Sequence, residues 1–213
     1  MKVSPSILSA DFGNLAADIR LLNGCADMIH LDIMDGSFVP NISFGFPVVE
    51  AVSEAATVPM DAHLMVVNPQ RWFERLAKAG VSMVSFHLEA AGRRTQKYID
   101  TIHALGMKAG VAIDPDVPVR KLFKYIGKAD FFVIMSVYAG FGGQQFMYAA
   151  IDRVDALEVE MERRGKRSDI EVDGGVNAQN APLLKEAGAT ILVAGSSVFK
   201  SEDPAEAVNS LRV

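Results

Sequence analysis

Eight short apolar runs recur along the 213-residue chain, and their regular recurrence restricts the fold more than any other feature. They occupy residues 3–8, 28–34, 60–65, 83–87, 108–113, 131–137, 170–173 and 191–194. Each is short, rich in β-branched or other apolar residues and bounded by turn-forming residues, which predicts a strand. Between them lie segments of helical period, such as Leu15, Ile19 and Leu22 in the first gap and Trp72, Phe73, Leu76 and Ala77 in the third, with Pro69 suited to a first helical turn. Strand and helix are expected to alternate throughout. Several strands are continuously hydrophobic, as in a parallel sheet covered by helices, and eight such units in this length favour closure into an α/β (β/α)8 TIM barrel over an open doubly wound sheet. No linker or low-complexity tract interrupts the series, so residues 1–213 read as one catalytic domain.

Composition narrows the function. Half the residues are hydrophobic and 22% are charged, the balance of a globular protein. A net charge of −5 leaves no footprint for nucleic acid or an anionic membrane, and the one basic cluster, Arg163, Arg164, Lys166 and Arg167, reads as the solvated end of a helix. Residues 1–6 begin with strand-like sequence and carry no basic-then-apolar leader, so a cytoplasmic location is expected. Cys25 is the single cysteine, which rules out an intramolecular disulfide or a thiolate cluster. A metal, if bound, must be held by nitrogen and oxygen.

Side chains of the same parity share one face of a strand, so His30, Asp32 and Met34 point one way and Ile29, Leu31 and Ile33 the other. The apolar set should meet the helices. An imidazole and a carboxylate then face the barrel interior, where they are costly unless they bind something. Residues 60–65 repeat the arrangement with Asp61, His63 and Met65, and the seventh run ends in Asp173 at the barrel mouth. His30, Asp32, His63 and Asp173 together form a candidate site for one divalent ion, Zn²⁺, Fe²⁺, Mn²⁺ or Co²⁺. Asp61 and Glu171 lie deeper and read as hydrogen-bonding supports for these ligands.

Three glycine-bearing loops follow the sixth, seventh and eighth runs: Gly140, Phe141, Gly142, Gly143; then Gly174, Gly175; then Gly195, Ser196, Ser197. Adjacent loops of this kind offer backbone N–H groups to an anion, and the last opens a short helix toward it. Phosphate sites of barrel enzymes commonly lie in this quadrant.

The chain resembles the ribulose-phosphate 3-epimerase family over nearly its whole length. The resemblance is carried by Pro5-Ser-Ile-Leu-Ser-Ala-Asp-Phe, His30-Leu-Asp-Ile-Met-Asp-Gly, Phe38-Val-Pro-Asn, His63-Leu-Met-Val, Gly140-Phe-Gly-Gly-Gln and Glu171-Val-Asp-Gly-Gly-Val. It implies a barrel of the ribulose-phosphate-binding type acting on a small ketose phosphate. It further implies that Asp32 and Asp173 are acid/base carboxylates and metal ligands, with His30 and His63 completing the sphere. Ser6 and His63 are implied substrate contacts, Met34, Met65 and Met135 the lining of the reacting centre, and Gly140 to Gly143, Gly174, Gly175, Gly195 and Ser196 the phosphate site. A homo-oligomer, dimer or hexamer, is implied as well. The chemistry agrees with the residues: inverting a carbon beside a ketone needs two acid/base groups flanking it, and a divalent ion stabilises the enediolate as a Lewis acid. No organic cofactor is required.

Two departures from the family pattern stand out. Tyr138 and Ala139 precede the Gly-Phe-Gly-Gly loop where an acidic or amide residue and proline are usual, and Gln145 stands where lysine is common. Loss of proline frees an N–H and is expected to loosen the loop, while Tyr138 is placed to narrow the pocket mouth. The rivals are an epimerase of a six-carbon ketose phosphate such as allulose 6-phosphate, and a non-catalytic sugar-phosphate binding protein on the same scaffold. A decarboxylase or aldol-type synthase would carry lysine at position 34, where this chain has Met34.

Overall fold

The computed structural model describes residues 1–212. Its eight strands are β1 (Lys2–Pro5), β2 (Ile29–Met34), β3 (Met60–Met65), β4 (Met83–His87), β5 (Lys108–Ile113), β6 (Phe131–Met135), β7 (Asp169–Asp173) and β8 (Ile191–Ala194). All pair in parallel, in the order β1-β8-β7-β6-β5-β4-β3-β2. A single parallel bridge from Ser6 to His30 joins the two ends, so the sheet forms a nearly closed barrel. The helices are α1 (Leu15–Leu22), α2 (Phe46–Ala55), α3 (Phe73–Lys78), α4 (Leu88–Ala91), α5 (Thr95–Ala104), α6 (Ala149–Arg164), α7 (Ala181–Glu186), α8 (Ser196–Phe199) and α9 (Pro204–Ser210). Among the described residues no helix is long and apolar enough to cross a membrane.

The two strand faces divide as parity requires. Ile29, Leu31 and Ile33 of β2 join Ala62 and Leu64 of β3 and Val84 and Phe86 of β4 in the large cluster between sheet and helices. A smaller apolar cluster, including Met83, Ala112, Phe131, Val133 and Ile191, fills the inside of the barrel. Gly110 makes room for it: a Cβ there would lie 2.3 Å from the Phe131 ring. The polar residues His30, Asp61, His63 and Glu171 are also inside, and all are fully buried.

Three expectations about the elements are corrected. β1 stops at Pro5, and Ile7–Ser9 turns into a 3-10 helix in which the Leu8 N–H donates to the Ser6 hydroxyl. β6 stops at Met135, because the chain beyond it bends into the glycine loop. Strand and helix do not alternate throughout: the crossover from β5 to β6 carries only two 3-10 turns, Val119–Lys121 and Phe123–Tyr125. Pro115 and Pro118 keep the start of this crossover out of a helix, since each lacks an N–H and restrains the residue before it from helical geometry. The basic cluster lies where it was expected. α6 ends at Arg164, Gly165 follows in the left-handed conformation at φ 60°, and Arg163 and Arg164 pair with Glu160 one turn back.

Candidate metal centre and substrate cleft

Strand register brings the site together. Asp32 pairs with His63 and His30 with Asp61 across β2 and β3, so one inward face carries two imidazoles and two carboxylates. Asp173 enters from the end of β7, which β1 and β8 separate from β2 across the seam of the barrel. His30 Nε2 lies 3.4 Å from Asp32 Oδ1 and 3.7 Å from Asp173 Oδ2, while His63 Nδ1 lies 3.7 Å and 3.3 Å from the same two oxygens. Donors placed tetrahedrally at about 2.0–2.2 Å from a central ion are separated by roughly 3.4 Å. The four side chains therefore fit one divalent cation without rearrangement, and His30 Nε2 and His63 Nδ1, both buried, have no hydrogen-bond partner.

The supports for these ligands are equally specific. His30 Nδ1 stands 2.9 Å from Asp61 Oδ2, which directs the other ring nitrogen at the cluster. Burial pushes the His30 imidazole down, but Asp32 and Asp61 outweigh it and hold its pKa well above the ordinary 6.5. Burial pushes the Asp32 carboxyl up; the facing His30 and His63 and the Ser6 hydroxyl outweigh that and keep it below its ordinary value, hence ionised. Ser6 Oγ donates to Asp32 Oδ2 at 2.5 Å, so Ser6, expected as a substrate contact, is engaged with the carboxylate itself. Glu171, 3.8 Å from His30 Nδ1, is driven well above the usual carboxylate range by burial and then by Asp61. Neither of its oxygens has a hydrogen-bond partner, so the support expected of it is seen only for Asp61.

Two of the candidate ligands, Asp32 and Asp173, open into a cleft that is also lined by Ser6, Met34, Met65, Met135 and all three glycine loops, Gly140 to Gly143, Gly174 and Gly175, and Gly195 and Ser196. His30 and His63 are fully buried and do not line it. The three methionines are at most 4% exposed. Leu8, Ser9, Gln144 and Val176 line the cleft too and were not anticipated.

The glycines are required by geometry. Gly175 has φ 62°, and a Cβ on it would stand 2.7 Å from Phe146 N and 2.9 Å from Gln144 O, so the loops after β6 and β7 touch backbone to backbone. Gln144 Nε2 donates to the carbonyls of Tyr138 and Phe141 at 2.7 and 2.9 Å, closing the β6 loop on itself. The N–H freed at Ala139 is taken up: it donates to Asp114 Oδ1 at 3.2 Å, so the lost proline is answered by a tether rather than a loose segment. Tyr138 is half-exposed on the cleft rim, as expected, and Gln145 lies outside the cleft beside Tyr148 and Lys200.

His87 was missed by sequence reasoning. Its ring lies edge to edge with that of His63 and nearly coplanar with it, centroids 5.0 Å apart and planes at 11°, and the two Nε2 atoms are 2.9 Å apart. The signal was present: Met83, Ser85 and His87 share the inward parity of β4.

Comparison with known proteins shows the family. A family model described as "Ribulose-phosphate 3 epimerase family" matches residues 2–199. The ribulose-phosphate 3-epimerase of Bacillus subtilis (strain 168) is 42% identical, the match covering 100% of this chain and 98% of that protein. The cytoplasmic isoform from Oryza sativa subsp. japonica is 41% identical, over 99% of this chain and 92% of that protein. Solved structures similar in fold include a 3-hexulose-6-phosphate synthase (TM-score 0.71, 19% identity, 100% of this chain and 98% of that one). KGPDC from Streptococcus mutans is another (TM-score 0.75, 13% identity, 99% and 95%). At such low identity these last two speak for the barrel alone.

Proposed function

The chain belongs to the ribulose-phosphate 3-epimerase family and is an epimerase; from that premise we propose that it interconverts D-ribulose 5-phosphate and D-xylulose 5-phosphate, with Asp32 and Asp173 carrying the proton on opposite faces of C3. The observation that carries this reading is the pair of carboxylates, from β2 and from β7, facing each other across two buried imidazoles with donor spacings of 3.3–3.7 Å. Inversion requires one group to remove the C3 proton and another to deliver one from behind, and a carboxylate on each side meets that need in both directions.

Asp32 is kept ionised by its neighbours and is oriented by Ser6, so it is poised as a base. Asp173 is steadied from behind, where the Ser136 N–H and hydroxyl both reach its carbonyl oxygen at 2.8 Å. Met34, Met65 and Met135 exclude water from the reacting carbon, which limits loss of the proton to solvent. The loops at Gly140 to Gly143, Gly174 and Gly175, and Gly195 and Ser196 present backbone N–H groups to the substrate phosphate, the cleft having no lysine or arginine in its lining. His30, Asp32, His63 and Asp173 would hold one divalent ion of the Zn²⁺, Fe²⁺, Mn²⁺ or Co²⁺ type, which when bound supplies positive charge to offset the negative charge that develops on the ketone oxygen. A cytosolic setting suits a chain whose one cysteine, Cys25, is unpaired and whose chemistry uses no oxidant.

The test is to assay ribulose 5-phosphate and allulose 6-phosphate side by side with enzyme loaded with defined metals, in deuterated buffer. The pentulose phosphate should be preferred in kcat/KM and should gain deuterium at C3. Preference for the hexulose phosphate, or inversion without solvent deuterium, would overturn the reading.

A further inference from the structure

A second group of candidate cation ligands, His87, Glu89 and Asp114, touches the first where His87 Nε2 meets His63 Nε2. His87 Nδ1 is buried and has no hydrogen-bond partner; the nearest charged group is Glu89, with Oε1 3.8 Å away. Phe38 packs against the His87 ring at a tilt, with centroids 4.8 Å apart. Proton placement decides what this second group does.

We propose that His87 is a positioning residue that locks the proton of His63 on Nε2, keeping Nδ1 free to ligate the metal, with Glu89 anchoring the far end of the pair. The proposal rests on the four-ligand metal site above. A neutral imidazole carries one proton, and a ring that ligates through Nδ1 must carry it on Nε2. His63 Nε2–H then faces His87 Nε2 at 2.9 Å, which must accept and so carries no proton. The His87 proton is thereby placed on Nδ1, pointing at Glu89.

Glu89 is built for this end of the chain. Burial pushes its carboxyl up, but the facing His87 and the Asp114 N–H, which donates to Oε1 at 2.9 Å, outweigh that and leave it ionised. Its side chain is 26% exposed, so a rotation can close the 3.8 Å gap to a hydrogen bond. His30 and His63 thus have matching supports: Asp61 fixes the first, and His87 backed by Glu89 fixes the second. The same logic denies the His87 group a cation of its own while the first site is filled, because Nδ1 is then a donor. One ion per chain is expected, not two.

The experiment uses the full chain loaded with Zn²⁺, which is diamagnetic, and ¹⁵N-labelled histidine; with four histidines in the sequence the imidazole spectrum is readily assigned. His63 should show the Nε2–H tautomer and His87 the Nδ1–H tautomer. Chelator competition on His87→Phe, which keeps an aromatic ring but offers no acceptor, should give Zn²⁺ affinity about 10–100-fold weaker. His87→Gln, whose amide oxygen can accept from His63, should recover much of the loss, which a purely structural ring would not. A His87 proton on Nε2, two zinc ions per chain, or His87→Phe binding zinc within twofold of the parent would overturn the proposal. Failure of the parent chain to bind zinc at all would instead remove the metal site on which it rests, and the two failures are read from separate measurements. The tautomer spectrum needs no variant, so it decides the question even where a substitution impairs folding.

Discussion

Replacing Asp173 with asparagine separates the two duties assigned to that carboxylate. The amide oxygen introduced by Asp173→Asn can stand where Asp173 Oδ2 now lies, 3.3 Å from His63 Nδ1 and 3.7 Å from His30 Nε2, so four donors at suitable spacing survive. What is lost is one negative charge and the group at the end of β7 that can take or return a proton. Loss of a general acid/base costs about 10²–10⁴-fold in rate, or roughly 2.7–5.4 kcal/mol of barrier. The fold should be untouched, since Asp173 is anchored through its backbone to Ser136 and not through its carboxylate. The assay is turnover of each epimer at saturating metal, with zinc content measured on the same sample and C3 hydrogen exchange followed in deuterated buffer. If two carboxylates serve two faces, Asp32 still exchanges the C3 hydrogen of the one epimer presented to it, while inversion is lost. Inversion within tenfold of the parent, or exchange lost equally from both epimers in zinc-loaded enzyme, refutes the two-carboxylate reasoning.

Metal binding should depend on pH through His30. With no metal bound its pKa is raised above the ordinary 6.5, so its protonated form stabilises the fold below that pH and the contribution fades as pH rises through the folded pKa. A ligating imidazole must be neutral, so zinc affinity should climb by up to about tenfold per pH unit until the folded pKa is passed; competition titrations that show a flat profile across about pH 6–8 would contradict this. Gly175→Ala forces a side chain into a left-handed position 2.7 Å from Phe146 N, displacing the β6 and β7 loops together. Steady-state kinetics should show KM for the sugar phosphate rising about tenfold or more with a smaller change in kcat, as for lost substrate binding, and an unchanged KM would take the phosphate away from these loops. Gly110→Ala places a methyl 2.3 Å from the buried Phe131 ring, an overpacking that costs about 1–3 kcal/mol. The melting temperature should fall by roughly 2–12 °C, and Phe131→Leu in the same chain should restore part of it; a double variant no more stable than the single one would show that the ring is not the obstacle.

How much of this site is visible in the sequence depends on whether the deciding relation is local. The inward direction of His30, Asp32, His63 and Asp173 follows from strand parity within a few residues, so all four were recoverable, as were the three glycine loops that follow β6, β7 and β8. His87 has the same parity, but its importance lies in an edge-to-edge contact with His63 across the β3–β4 pair. That depends on register and rotamer, neither of which a single strand encodes. The tether from Ala139 to Asp114 spans 25 residues and exists only because β5 and β6 are neighbours, so the missing proline alone suggested a loosened loop. Ser6 shows the same limit. Its place in a motif pointed toward substrate, and it does line the cleft, but its bond to Asp32 was not legible, because it is closure of the barrel at the Ser6–His30 bridge that lays the hydroxyl on Asp32, two residues further along β2. The seam of the barrel is therefore part of the chemistry: the contact that joins β1 to β2 also orients the carboxylate proposed to take the first proton, and a disturbance of that seam should be felt in turnover before it is felt in the fold.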